Sequence, residues 1–512
     1  MASAIMMASI FLSRIMGLVR EMVIAGVAGA DAAVDAYRVA FVVPEILNHI
    51  LASGFLSVTF IPIFSRYLAE AREETGWRVF SLILTLFGAL LLVLIVVAEV
   101  FAPALVALLA PGRSDPAFLD MAVRMTRIIL PAQFFFFAGG LLMAVQFARE
   151  RFFIPALAPL IYNLGIILGG LLLGARWGMA GFAWGVLGGA LTGNFLVQVW
   201  GARRVGMRFA IIWDWRHADL WRYLRLTLPL MFGLTMMFST EIFTKFFGSY
   251  LPAGSIAWIE YAMRIMLMLV AFFGQAVGVA SYPFMARMAA EGRLADVNRL
   301  LNDTLRYLCV VLPFAVLIIV LREEVVTLIY MRGAFTRGDV LMTAPVLGWL
   351  MLGAVAFATQ TVVNRGFYAL QNTLLPAVYG TLAVIASIPV YYAGQHWMGV
   401  EGVGLAVSLS ALVQVALLYA IWNRRSHNTG SGAVYRFFFK MVLLSLPLGA
   451  ALGGLRAWAG GWLASGTLGG ALATVVLVGS AFLVLLLVLG YGFRVREITR
   501  LLDRLPILSR RR

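Results

Sequence analysis

Apolar residues run along this chain in blocks of about twenty or more, with no period-2 alternation inside them. A helix needs ~20 consecutive apolar residues to cross a bilayer, and the lack of alternation argues against a β-barrel. The pattern predicts about fourteen spans, near 5–28, 34–64, 79–109, 121–148, 154–174, 179–201, 224–250, 256–286, 304–321, 340–369, 374–394, 400–422, 435–457 and 467–492. The connections between them are too short to hold a soluble domain. The expected fold class is an all-α polytopic membrane protein.

Composition agrees. The 512 residues are 62% hydrophobic and 12% charged, with a mean hydropathy of +0.93. Soluble domains are about 25% charged, which excludes a soluble multidomain enzyme and a disordered chain. The one cysteine, Cys309, has no intramolecular partner, so no disulfide scaffold is present. The net charge is +16, from 40 Lys and Arg against 24 Asp and Glu. With the N-terminus cytoplasmic, alternate connections and the C-terminal tail carry 27 of these basic residues and the opposite connections carry 6. That asymmetry follows the positive-inside rule. It places both termini in the cytoplasm, and nucleic acid is not needed to explain the charge. No basic n-region precedes the first apolar run, so a cleavable signal peptide is not expected.

The numbering contains a duplication. Pro62, Arg66 and Glu70 recur as Pro283, Arg287 and Glu291, 221 residues on. Pro155-Ala156 recurs as Pro376-Ala377, Gly112 as Gly333, Gly178 and Gly181 as Gly399 and Gly402, and Arg203-Arg204 as Arg424-Arg425, all at that interval. Two parallel six-helix lobes are expected, 1–204 and 224–425, joined by a cytoplasmic linker at 205–223. Two further helices at 426–493 and a basic tail at 494–512 follow. Transporters built from such repeats hold their substrate between the halves.

Seven basic residues remain unassigned to the connections: Arg14, Arg20, Arg38, Arg124, Arg127, Lys245 and Arg264. A charge at mid-bilayer costs at least ~2.5–3.5 kcal/mol on insertion scales, so those that persist face water, a partner or an interface. Arg124 and Arg127 lie near a span end and read as snorkelling. Arg14, Arg20 and Glu21 share the first span, where Arg14 and Glu21 are seven apart and lie on one face. A cationic lining for an anionic substrate is one reading; local neutralisation of Arg20 with Arg14 snorkelling is the other. Asp35, Tyr37 and Arg38 open the second span as Glu260, Tyr261 and Arg264 open the eighth. Glu241 and Lys245 have the i,i+4 spacing of an intrahelical pair, with ion coupling as the rival role. Glu45 and His49 form either a proton-sensitive pair or a structural hydrogen bond. No P-loop, GxSxG or HExxH is present, and four histidines at 49, 217, 396 and 427 make no metal site. No cofactor, metal or catalytic residue is expected; any energy comes from an ion gradient, membrane potential or substrate flux.

The run Ser13-Arg14-Ile15-Met16-Gly17-Leu18-Val19-Arg20-Glu21 resembles the S-R-x-x-G-x-x-R-[DE] opening of the lipid II flippase MurJ (MviN) family. Asp35-Ala36-Tyr37, Val39-Ala40-Phe41, Pro44, Gly54 and Phe60-Ile61-Pro62 continue the likeness. So do the stretch from Arg151-Phe152-Phe153 to Pro159, Tyr261-Ala262-x-Arg264, Arg332-Gly333-Ala334-Phe335-Thr336 and Gly366-Phe367-Tyr368-Ala369-Leu370-Gln371-Asn372-Thr373. The resemblance implies the MOP exporter fold, two six-helix lobes plus two helices bordering a lipid-tail groove. It also implies movement of an undecaprenyl-pyrophosphate-linked saccharide, lipid II, from the inner to the outer leaflet of the bacterial inner membrane. By resemblance Arg14, Arg20 and Arg264 bind substrate. Glu21, Asp35, Glu241, Lys245 and Glu260 are read as gating groups or charge partners. The chain reads as a monomer among membrane lipids.

Departures from the family pattern are Asn48-His49 and Ser53-Gly54 where a basic pair and an acidic-Gly step are usual, Met263 before Arg264, and Leu267. No Asp or Glu lies between Asp339 and Glu401, so a sodium site is not carried over. These departures favour, as the alternative cargo, another polyprenyl-linked oligosaccharide. A cation-coupled drug antiporter fits less well, and a non-transporting scaffold would tolerate loss of all three arginines.

Overall fold

The computed structural model describes residues 2–51, 59–235, 239–463, 466–493, 495 and 497. Ser53-Gly54 and all seven tail arginines lie outside the described residues. Among those described, the chain is helical and contains no strand. It forms two compact units, residues 1–257 with 332–335, and residues 258–331 with 336–512.

The first unit contains α1 (Ala2–Ala28), α2 (Ala32–Ala40), α3 (Val42–Leu51), α4 (Ile61–Ala69), α5 (Glu73–Leu109), α6 (Pro116–Ile129), α7 (Ala132–Ala148), α8 (Phe153–Trp177), α9 (Met179–Gly189), α10 (Val197–Arg204), α11 (Ala218–Thr235) and α12 (Ser239–Gly248). A π-helical turn, Ala190–Leu196, joins α9 to α10. The core around α5 is aromatic: Phe60, Phe64, Trp77 and Phe80 are buried against one another, with Trp77 4.9 Å from Phe64 and 5.7 Å from Phe80, centroid to centroid. Leu220 and Tyr223 of α11 join this core.

Helices α8 and α9 pack along glycines. A Cβ on Gly169 would come within 2.4 Å of the Gly185 Cα, and one on Gly165 within 2.5 Å of the Gly189 Cα. Gly165 and Gly169 on one helix, and Gly181, Gly185 and Gly189 on the other, follow the small-x-x-x-small spacing. Within a membrane, where no hydrophobic effect drives helices together, that spacing supplies the close van der Waals contact.

The second unit takes up α13 (Ser255–Val270) after its first turn. It continues with α14 (Ala276–Ala290), α15 (Leu294–Leu308), α16 (Val311–Val320), α17 (Arg322–Tyr330), α18 (Arg337–Met351), α19 (Ala354–Ala369), α20 (Leu374–Arg425), α21 (Ser431–Gly460) and α22 (Leu468–Gly492). Its core joins Phe437, Met441, Leu448 and Leu452 of α21 to Val478, Phe482 and Leu486 of α22.

Among the described residues, nine helices are long and apolar enough to cross a membrane, and ten with the pair α18 and α19, bent by 45°. One of the nine, α20, holds two expected spans, separated where Gly399 leaves helical geometry (φ 59°, ψ −130°). The three expected spans outside this set, near 5–28, 34–64 and 224–250, carry most of the in-membrane charges.

The duplication is written in the backbone. Left-handed residues recur at the interval of 221: Ala71 (φ 56°) and Gly292 (φ 73°), Glu150 (φ 57°) and Gln371 (φ 55°), Gly178 (φ 57°) and Gly399 (φ 59°), Gly206 (φ 86°) and His427 (φ 51°). Four of these eight carry a side chain, in a region that costs non-glycine residues energy. The connections repeat their ion pairs as well. Glu70 meets Arg66 at 3.9 Å and Arg72 at 3.5 Å, while Glu291 meets Arg287 at 2.9 Å and Arg293 at 3.0 Å. Hydrogen bonds from Arg287 and Arg293 hold the Glu291 carboxyl below the usual carboxylate range.

Candidate functional site

The charged cluster of the first unit is built by a reversal after α1. Gly29 takes a positive φ of 67°, and a Cβ there would lie 2.7 Å from the Ala334 carbonyl oxygen. Asp31 then caps α2, its carboxylate accepting from the Ala33 and Val34 amides at 3.0 and 2.9 Å. The turn brings Arg38 back beside α1. The segment 332–335, which the sequence singled out as Arg-Gly-Ala-Phe, is held at the same end, with the Ala334 amide donating to the Gly26 carbonyl at 2.8 Å.

Glu21 is the hub. It is buried, and its carboxylate takes Arg20 on one oxygen at 2.7 Å and Arg38 on the other at 2.5 Å. Arg20 also donates to the Asn163 side-chain oxygen at 3.1 Å, and Asn163 in turn bonds the Pro159 carbonyl at 2.8 Å. Arg20 is therefore held from two helices while one-fifth of its side chain stays accessible, at 19%. Arg14 is exposed. Glu21, expected to share a face with Arg14, is engaged by Arg20 and Arg38. Two guanidiniums meet on one carboxylate, and a guanidinium fork suits a phosphate oxygen pair.

Asp35 lies one turn before Arg38 and is fully buried, with 0% exposure. Its carboxylate accepts from Arg113 at 2.9 Å, from the Gly254 amide at 2.8 Å and from the Ala257 amide at 2.8 Å. Arg113 reaches the Pro252 carbonyl as well, at 3.0 Å. A carboxylate with this many donors is fully engaged by the protein, as a charge buried this deeply must be.

In α12, Lys245 is buried and pairs with Glu241 at 3.0 Å, the i,i+4 contact read from the sequence. His49 bonds the backbone carbonyl of Glu45, at 2.6 Å. In the second unit Glu260 is buried and Arg264 stands 3.9 Å away with 38% of its side chain exposed. Leu267, one of the departures, is exposed at 37%. Among the described residues no group of three His, Cys, Asp or Glu side chains is placed to hold a metal ion.

Several residues carry more than the sequence indicated. Arg38 was one of seven unassigned in-membrane cations, and Arg113 was counted among the loops. Asp219, in the linker, is buried and accepts from the Tyr67 hydroxyl and from Arg66 at 3.1 Å. Burial and the neighbouring Asp219 push the Tyr67 hydroxyl above its ordinary value. The linker is also tied to α5, where Ser81 bonds the Arg208 carbonyl at 3.5 Å and the Ala210 amide at 3.2 Å. In the second unit the turn after α20 is pinned by amides: Asn302 and Asn428 exchange two bonds of 2.9 Å, and Tyr419 donates to Asn302 at 2.8 Å. The only signal for these contacts is a polar residue at a span end.

Comparison with known proteins follows the same lines. A family model described as lipid II flippase MurJ matches residues 24–472. A probable lipid II flippase MurJ from Vibrio cholerae is 26% identical over 507 residues, which cover 95% of each chain. A solved structure of lipid II flippase MurJ in an inward closed conformation is similar with a TM-score of 0.78 and 22% identity, covering 95% of this chain and 99% of that one. An inward-facing multidrug-resistance transporter of the MATE family, in the MOP superfamily, is similar with a TM-score of 0.67 and 14% identity, covering 83% of this chain and 96% of that one. Both likenesses show the fold of the MOP superfamily.

Proposed function

The chain belongs to the lipid II flippase MurJ family, and from that premise we propose that it moves lipid II across the membrane by alternating access, using guanidiniums to hold the pyrophosphate. It is a multi-pass membrane transporter, not an enzyme, and its role is lipid II flipping for cell wall synthesis. In the proposed cycle Arg14, Arg20 and Arg264 engage the pyrophosphate from the cytoplasmic leaflet. The head group leaves on the outer side while the prenyl tail stays in lipid. Glu21 tunes the first of these sites, because a carboxylate shared between Arg20 and Arg38 keeps Arg20 oriented without cancelling both charges. The membrane is the bacterial inner membrane, with both termini in the cytoplasm and one copy of the chain sufficing. An inward-negative potential favours return of the positively charged arginines, by ~2.3 kcal/mol per charge per 100 mV.

The observation that carries this reading is the meeting of Arg20 and Arg38 on Glu21, with Arg20 held by Asn163 and partly open. Arg20→Ala is expected to abolish complementation of a flippase-depleted strain while the protein is still made and inserted. Normal growth of that strain would remove Arg20 from the site. A second reading keeps the mechanism and changes the saccharide. It is favoured by the exposed Leu267 and by His49 where the family usually has charge, and the mass of a co-purified lipid head group decides between the two.

A further inference from the structure

Two arginines that serve neither the Glu21 cluster nor a connection line a cleft between α6 and α9. Arg124 and Arg127 are three residues apart on α6, both exposed. With Asp120, Pro131, Trp184 and Leu187 they line a cavity of about 440 Å³. Arg127 donates to the Glu99 backbone carbonyl at 3.1 Å, and no carboxylate stands within ion-pair distance of either guanidinium among the described residues. Arg124 has no hydrogen bond there either. Asp120 lines the same cleft, and the Glu99 carboxylate interacts with Arg127 from beyond ion-pair distance.

Depth identifies the environment. Helix α6 starts at Pro116, at the end of the helices opposite the arginine-rich connections. At 1.5 Å per residue, Arg124 lies about 12 Å from that start. Trp184, 41% exposed, sits near the same end of α9, its ring 6.2 Å from that of Trp177. Paired tryptophans mark the head-group level of a bilayer. An unpaired guanidinium facing hydrocarbon at that depth would be costly, whereas one facing a lipid phosphate gains a charge-assisted bond.

We propose that the α6–α9 cleft is a binding site for the phosphodiester head group of an anionic phospholipid in the leaflet at that end. Arg124 and Arg127 clamp the phosphate, Trp184 covers the glycerol, and Pro131 and Leu187 receive the start of an acyl chain. The site rests on α6 and α9 alone and does not depend on how the Glu21 cluster is used.

The test is native mass spectrometry of the full chain titrated with phosphatidylglycerol or phosphatidylcholine, for the parent and for Arg124→Gln/Arg127→Gln. The parent is expected to retain one phosphatidylglycerol about tenfold more tightly than phosphatidylcholine, and the double variant to lose that preference. Trp184→Ala, which keeps both cations, should weaken the same adduct severalfold and serves if the double variant does not fold. Inorganic phosphate at millimolar concentration should leave the adduct in place. An unchanged phosphatidylglycerol adduct in both variants would overturn the site, and displacement by inorganic phosphate would overturn its assignment to a lipid.

Discussion

The two units share a backbone plan and part company in their buried charges. At the connections the copies match: left-handed residues recur at one interval, and Glu70 and Glu291 each gather two arginines. In the membrane-facing interior they do not. The first unit gathers Arg20 and Arg38 on Glu21, and Arg113 with two backbone amides on Asp35. The second pairs Glu260 with Arg264 at 3.9 Å and the buried Glu324 with Arg456 at 2.7 Å, with no two guanidiniums meeting on a fully buried carboxylate among the contacts described. Connections are constrained by chain reversal, which both copies must perform. Interior charges are constrained by what they hold, and that is free to differ between the halves of a transporter that binds an asymmetric molecule.

The sharpest way to break the comparison is to neutralise the two acids separately. Glu21→Gln removes the carboxylate that Arg20 and Arg38 share in a buried setting, where removing one partner costs about 3–5 kcal/mol. Glu260→Gln faces a more exposed arginine at a longer distance and should cost about 1 kcal/mol or less. Thermal melting in detergent is expected to show a large fall for the first and a small one for the second. Equal falls would mean that the units do not differ in the way described.

A smaller effect tests the packing. Gly185 stands 221 residues before Ala406. A Cβ on Gly185 would meet the Gly165 carbonyl oxygen at 2.6 Å and the Ile166 Cα at 2.8 Å, while the second unit already carries a Cβ at its counterpart. Gly185→Ala should therefore destabilise by about 1–3 kcal/mol through overpacking, and Ala406→Gly by less. An unshifted melting curve for Gly185→Ala would remove the glycine seam as a determinant of the first unit.

Much of this molecule was legible before any coordinates. Composition, block length and the interval of 221 were enough for helical spans, a duplication and a membrane transporter, because those features depend on local hydropathy and on repeats in the chain. Pairings were harder. The seven-residue spacing of Arg14 and Glu21 pointed to a shared face, but the reversal at Gly29 and Asp31 delivers Arg38 to Glu21, and an adjacent arginine curls onto the same carboxylate. Asp35 with Arg113, and Tyr67 with Asp219, join residues 78 and 152 positions apart. Such contacts leave no periodic trace. The glycines of α8 and α9 were visible as letters, and only the backbone approach explains their spacing.

The central claim is that the first-unit guanidiniums grip a phosphate-bearing lipid head. The most direct measurement is equilibrium binding of lipid II to the full chain in nanodiscs, comparing the parent with Arg20→Ala and with Arg14→Ala. The account predicts an affinity loss of about tenfold or more for each, with thermal stability largely kept. Undiminished binding by both variants would contradict it.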